Sequence, residues 1–332
     1  MDVPVKPFPL APNVLRHFYA GGERIAALRG TQPADHTPEE WLGAANTTFD
    51  GSRGLSRLPD GRLVRDALEA DPEAFLGPEH AARFGADPAL LVKLLDAGQR
   101  LPVHFHPDRA FAERHLGLAH GKTEAWLIVE ADPGAAVHVG FTRDVELDEV
   151  RGWMDSQDSE AMLATMRELP LDAGDAIFVP AGAPHAIGEG ILMVEVQEPT
   201  DLSVLLEWDG FELTEDEGHL DLGWDTALQA LDRSAWTESR VEALRGPGPG
   251  RSLLPPKADR WFRAERVHGG DELDAGFSIL VGLVGDGSLG GEPFGRGTVL
   301  LVPFAAGPLT LEGDVEAIRC RPPSPERLPG SV

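Results

Sequence analysis

Apolar runs broken by Gly, Pro and Asp clusters organise this chain, and most have the length and density of strands. LLVKLLDAGQRLPVHFHPD (90–108) is almost continuously apolar until it gives way to Pro107, the pattern of a buried strand. AWLIVEADPGAAVHVGF (125–141) holds two apolar runs around Asp132-Pro133-Gly134, which predicts a hairpin. Strands are expected again in GDAIFVPAG, GILMVEVQ, FSILVGLVGDGSL and GTVLLVPFAAGPLTLEGDVEAIRC. Helical patterns lie between them. In HTPEEWLGAA, Thr37 reads as an N-cap, Pro38 as a first-turn proline and Glu39 and Glu40 as first-turn acids, so a short helix is predicted there. GRLVRDALEADPEAFLG and EHAARFG carry helical spacing and each ends at glycine. Residues 146–168 are acidic with Leu, Met and Val at helical spacings, and LGWDTALQALDRS reads as a further helix.

GPGPGRSLLPP (246–256) is Pro/Gly-rich and marks the best domain boundary. It divides residues 1–245, with helical insertions at about 35–100, 146–168 and 218–245, from a strand-rich part at 257–332. An internal echo links the two: Gly174 to Pro180 reads GDAIFVP and Gly297 to Pro303 reads GTVLLVP, implying two β domains of one kind.

A formal charge of −26 argues against nucleic acid or an anionic membrane as partner, because both would be repelled. The single cysteine, Cys320, rules out an internal disulfide and a thiolate zinc cluster within one chain, so a metal must use His and carboxylate. The N-terminus has no apolar segment after a basic one, and no run approaches the roughly 18 apolar residues of a membrane span. Cytoplasmic residence is the default expectation. Only four lysines occur, Lys6, Lys93, Lys122 and Lys257, which makes each worth inspecting.

His104 and His106 stand one residue apart, and in a strand residues i and i+2 share a face. That spacing permits one ion between two imidazoles, but suits an exposed polar edge as well. Further along, Glu124 follows His106 by 18 residues, and Gly174-x5-Pro180-x-Gly182-x2-His185 follows Glu124. This order resembles the paired motifs of the cupin superfamily, small double-stranded β-helix (jelly-roll) barrels. The expected fold is therefore mainly β, two cupin-like domains with helical insertions. The resemblance implies that His104, His106, Glu124 and His185 converge on one divalent ion. Three imidazoles and a carboxylate suit Zn, Fe, Mn or Ni. His17, His36, His80, His115, His120, His138, His219 and His268 lack such company and are expected as surface or packing residues.

The flanking sequence narrows the resemblance. LLVKLLDAGQRLPVHFHPD, GKTEAWLIVEADPGAAVHVGF and PAGAPHAIGEGILMVEVQEPTD are similar to stretches of the type I phosphomannose isomerases, as are EEWLGA and LPDGRLVRDAL, together covering most of residues 35–210. Such a family implies zinc and an aldose–ketose isomerisation of mannose 6-phosphate or a related hexose, which needs a base to move a proton between C1 and C2 and a Lewis acid. By position Glu195 matches the family carboxylate proposed for proton transfer. It alternates with Val194 and Val196, so that it and Gln197 can face a cavity. Lys122 shares the face of Glu124 and is expected to contact substrate oxygens or a phosphate. Trp126, on the same face, reads either as a sugar-stacking wall or as a core residue, and Asp201 as a further substrate contact.

Two departures stand out. His104 occupies a position where the family prefers Gln, which keeps a ligand. Leu205 occupies the position of an active-site arginine. Losing one such donor costs about two to three orders of magnitude in rate when nothing replaces it. Leu205 therefore keeps open a non-catalytic sugar-binding relative, and the ligand set keeps open an iron oxygenase. In the C-terminal echo Ala305 and Pro308 stand where a second site would need Gly and His, so that copy is expected to be structural.

Overall fold

Every position of the strand Leu91–Asp96 is buried, and so is every position of Ile191–Gln197. Apolar on one face and carrying buried Lys93, Glu195 and Gln197 on the other, the two pair antiparallel at the middle of a six-stranded sheet. Glu39–Leu42 and then Val14–Leu15 extend it on one side, Glu124–Ala131 and Ala176–Val179 on the other. A second, five-stranded sheet runs in the order Val204–Leu205, His104–Phe105, His185–Ile187, Ala136–Phe141, Met166–Pro170. Val137, Val139 and Ile187 of the second sheet share one core with Leu95, Trp126, Ile128 and Met193 of the first, and Glu124 meets His185 across the gap, so the sheets pack face to face. The structure is a computed structural model and describes residues 5–248 and 250–324. Residue 249 of the expected linker and residues 325–332 of the expected second domain lie outside the described residues.

The third sheet is built on two long strands, Ser278–Leu289 and Leu309–Arg321, joined by Val299–Val302 and Arg263–His268. Phe8–Pro9 adds to its edge beside Leu300 and Leu301, so the N-terminal segment crosses the expected boundary at 246–256. Leu94 and Ile191 lie in the same core as Phe262, Ile279 and Ile318, which joins the third sheet to the other two. The fold is mainly β, as expected, and among the described residues no helix is long and apolar enough to cross a membrane.

Three local expectations are corrected. Glu39–Leu42 is a strand, not the first turn of a helix, and all four residues are buried. The Glu39 carboxylate accepts from Tyr19 Oη at 2.7 Å and Trp41 Nε1 at 2.8 Å, and these buried partners outweigh a weak local preference for helix. Thr37 caps nothing; its hydroxyl donates to the Ala34 carbonyl. Secondly, Asp132-Pro133-Gly134 is a tight turn but not a hairpin. Glu124–Ala131 pairs within the first sheet and Ala136–Phe141 within the second, so the turn carries the chain between sheets. Thirdly, the run 90–108 is two strands, Leu91–Asp96 in one sheet and His104–Phe105 in the other. The expected helices otherwise form at Val64–Ala70, Pro72–Leu76, Pro78–Phe84, Leu147–Ser156 and Ser159–Ala164, although 166–170 of that insertion returns to the sheet.

A buried polar strap ties these elements together at residues 120–123. The Glu198 carboxylate accepts from Thr123 N at 2.9 Å and from Arg109 Nε, while His120 Nε2 meets Asp87 Oδ2 at 2.7 Å. Gly121 packs with the site of a Cβ only 2.5 Å from the Pro107 carbonyl oxygen, and only glycine passes there. Burial opposes charge on His120, but its bonds to Asp87 and Glu198 prevail and raise it to about 9. A histidine raised in the folded state contributes stability that is complete below its unfolded value of roughly 6.5 and is lost as pH rises through the folded one. Urea unfolding between about pH 6.5 and 9.5 should therefore show the wild type losing up to about 3 kcal/mol relative to His120→Gln. Parallel pH profiles for the two proteins would remove the ion pair from this account.

Candidate metal centre

His104 and His185 lie directly opposite each other in the second sheet, and His106 stands two residues beyond His104. Ring centroids are 4.1 Å apart for His104 and His185, 5.0 Å for His104 and His106 and 4.8 Å for His106 and His185. Local sequence sets this geometry. Pro107 ends the strand and Asp108 caps the helix Arg109–Leu116 by accepting from Phe111 N at 2.8 Å. Gly182 of PAGAPH takes φ +85°, open to glycine, and donates its N–H to the His106 carbonyl at 2.7 Å. That bond docks the turn before His185 onto the strand of the other two imidazoles.

Each ring is held by its Nδ1. His104 donates to Pro102 O at 2.7 Å, His106 to Leu202 O at 2.7 Å and His185 to Ala183 O at 2.9 Å. A carbonyl only accepts, so Nδ1 carries the proton and Nε2 presents a lone pair inward. Burial holds all three rings neutral: His104 is lowered well below the usual range, His106 to about 3, and His185 is lowered too. Nε2 of His106 and His185 are buried with no hydrogen-bond partner, and so is Glu124 Oε2. His106 Nε2 stands 3.1 Å from Glu124 Oε2 and His185 Nε2 stands 3.4 Å from Glu124 Oε1. At such distances a protonated histidine would form an ion pair. With Nδ1 engaged and the ring neutral, acceptor faces acceptor instead, an arrangement that a shared metal cation satisfies and a buried proton does not. Ligand atoms of the three histidines lie within 4.8 Å of one another. The donor set fits a divalent ion, with Glu124 bordering the imidazole cluster.

The first sheet supplies the other wall. Trp41, Lys93, Glu195 and Trp126 face one another in register across four adjacent strands. Lys93 Nζ lies 3.1 Å from Glu39 Oε2 and 3.9 Å from Glu195 Oε2, and Lys122 Nζ lies 3.4 Å from Glu124 Oε2 and 3.9 Å from Glu195 Oε1. Burial pushes the Glu195 carboxyl up to about 8, against the pull of Lys93 and Lys122 and with the help of Glu124. Burial works against the Lys93 ammonium, but Glu195 and Glu39 overcome it and raise its pKa. Lys93 also stands 5.0 Å from the Trp41 ring centroid, a cation–π contact.

These groups open on a cavity of about 470 Å³. His104, Lys122, Glu124, Glu195 and Asp201 line it, as does Leu205. Asp201 also accepts from Phe49 N at 3.3 Å. Trp126 does not line it: the indole is fully buried and donates to Glu124 Oε1 at 3.0 Å, with its ring edge-on to His185. The expected sugar-stacking wall is corrected to a residue that orients Glu124. His17, expected at the surface or in packing, lines the cavity 3.2 Å from Glu39. Lys93, Glu39 and Tyr19 join the site with no motif to mark them, although a lysine inside an otherwise apolar run is a signal for the first.

No family model matches the chain. A mannose-6-phosphate isomerase of Streptococcus mutans is 33% identical over 202 residues, 60% of this chain and 59% of that protein. The match thus spans about three-fifths of that relative's length. A mannose-6-phosphate isomerase of Bacillus subtilis is 27% identical over 315 residues, 90% of this chain and 93% of that protein. The crystal structure of a mannose 6-phosphate isomerase from Bacillus subtilis shares the fold, with a TM-score of 0.75 at 22% identity over 95% of this chain and 99% of that one. The chain is thus similar in sequence to named mannose-6-phosphate isomerases, at modest identity, and shares the fold of a solved one.

Proposed function

We propose that this chain is a metal-dependent aldose–ketose isomerase acting on mannose 6-phosphate or a related hexose. The observation that carries the reading is the meeting of Glu195, Lys122 and His104 in one cavity, with His106 and His185 clustered behind His104. His104, His106 and His185, with Glu124 beside them, are the residues that hold a divalent ion. Zinc follows from the family, and iron, manganese or nickel suit the same ligands. When bound, the ion supplies Lewis-acid polarisation of substrate oxygens.

The chain's own groups do the rest. Glu195 takes a proton from one carbon beside the carbonyl and returns it to the neighbouring carbon of the enediol. Its carboxyl, raised towards the operating pH by burial, is matched to giving the proton back as well as taking it. Lys122 donates to substrate oxygens and balances the charge of Glu195. Lys93, held by Glu39 and Trp41, keeps Glu195 in place from the other side. Burial of Glu195, Glu124 and the histidines limits competing proton exchange with water.

A second reading, a sugar-binding relative that keeps the metal site without turnover, is favoured by Leu205. Exchange at C2 in deuterated water, followed by NMR with a panel of hexoses and hexose phosphates, separates the two. Deuterium incorporation is expected in the wild type and should fall by at least about 100-fold in Glu195→Gln. Equal exchange in the variant would remove Glu195 as the base, and no exchange with any sugar would sink the isomerase. Elemental analysis should find about one divalent ion per chain, lost in His185→Ala. Chelation should lower the thermal midpoint of the wild type and leave that of the variant unmoved, because an ion bound only by the folded state stabilises it.

A further inference from the structure

The cavity is lined by eight carboxylates against three cationic side chains, and the three cations are already engaged. Lys93 is held by Glu39 and Glu195, and Lys122 by Glu124 and Glu195. Arg53, exposed at the rim, donates to the Arg16 carbonyl and lies beside Asp50. Among the described residues, no lining cation remains without an anion or carbonyl against it. A divalent ion at the imidazoles still leaves the lining net negative.

The position of the family arginine sharpens the picture. Leu205 pairs with His104 in register, so its side chain stands beside the metal ligands. It joins Leu101, Ile187 and Leu220 in an apolar strip along the cavity. The lining also carries Asp50, Asp216, Glu217 and Asp221, all exposed, and the half-buried Asp201, with the 215–219 turn packed against the strand of Leu205. A phosphate dianion entering here meets an alkyl group at Leu205 and a lining in which carboxylates outnumber cations, Arg53 being the one exposed guanidinium among the lining residues. An uncharged sugar meets a surface suited to its C–H faces and passes the rim without electrostatic cost.

We infer that the cavity selects a hexose carrying no phosphate, Leu205 and the acidic rim being the residues that exclude the phosphorylated form. The inference rests on the isomerase reading above. In deuterated water, metal-loaded protein is given mannose or mannose 6-phosphate, and C2 exchange is followed by NMR. The expected kcat/KM for mannose exceeds that for the phosphate by at least about 10-fold. The ratio should move towards the phosphate by about 5-fold in the double variant Asp216→Asn/Asp221→Asn, and also when salt is raised from about 20 to 500 mM. Asn tolerates the left-handed backbone that Asp221 adopts at φ +58°, so the rim variant keeps its fold. Leu205→Arg should shift the ratio further, and the rim variant carries the test if that protein fails to fold. Mannose 6-phosphate turned over as well as mannose overturns the inference while leaving the isomerase standing. If neither sugar exchanges, the isomerase reading fails, and calorimetry with the same two ligands decides selectivity: tighter binding of the phosphate overturns it.

Discussion

Three buried imidazoles, each tied by Nδ1 to a backbone carbonyl, set the terms for everything around them. Those three hydrogen bonds fix the tautomer, so Nε2 lone pairs meet one another and the Glu124 carboxylate in a dry interior. Unpartnered acceptors in such a place cost roughly 1–3 kcal/mol each, and a single cation is a partner that could satisfy them together. The carbonyls come from short segments, Pro102, Leu202 and Ala183, each held by neighbouring structure. Gly182 docked on His106 and the Glu198 strap beneath Thr123 therefore act on the centre without touching it.

The first sheet answers with alternating charge. Lys93 and Lys122 flank Glu195, and Glu39 and Glu124 flank the lysines, so that no buried charge stands alone. Removing one partner of such a row leaves its neighbour uncompensated, which is costlier than the pair itself is favourable. The arrangement gives Glu195 an environment unlike that of the other carboxylates. Glu39 is held well below the usual range despite its burial, with His17 and Lys93 beside it, whereas Glu195 is raised. Two carboxylates a few side chains apart thus take different protonation behaviour from their surroundings.

On the proposed reading the imidazole cluster and the Glu195–Lys122 pair serve the reaction, while Leu205 and the acidic rim set what can approach them. Among the described residues, the rim carboxylates Asp50, Asp216, Glu217 and Asp221 share no hydrogen bond with the buried row of Glu39, Lys93, Glu195, Lys122 and Glu124.

The mainly β character was legible in the apolar runs, and His-x-His and Val-Glu-Val-Gln place side chains on one strand face by the period of two alone; that His104, His106, Glu124 and His185 lie together was implied by the order of motifs shared with a known family and not by periodicity. The same periodicity placed Trp126 on the right face but could not say that its ring would be sealed against Glu124 and His185. Glu39 resembled a helix start, and only pairing with Leu91–Asp96 made it a strand, since local caps are weak beside a fully buried ladder. The Asp-Pro-Gly turn was visible, but not that it crosses between sheets, because a turn does not encode which neighbours its strands will find. His17, Tyr19 and Lys93 reach the cavity from segments far apart in the chain. Their roles come from charges and hydrogen bonds brought together across the two sheets, and a linear sequence carries no measure of that distance.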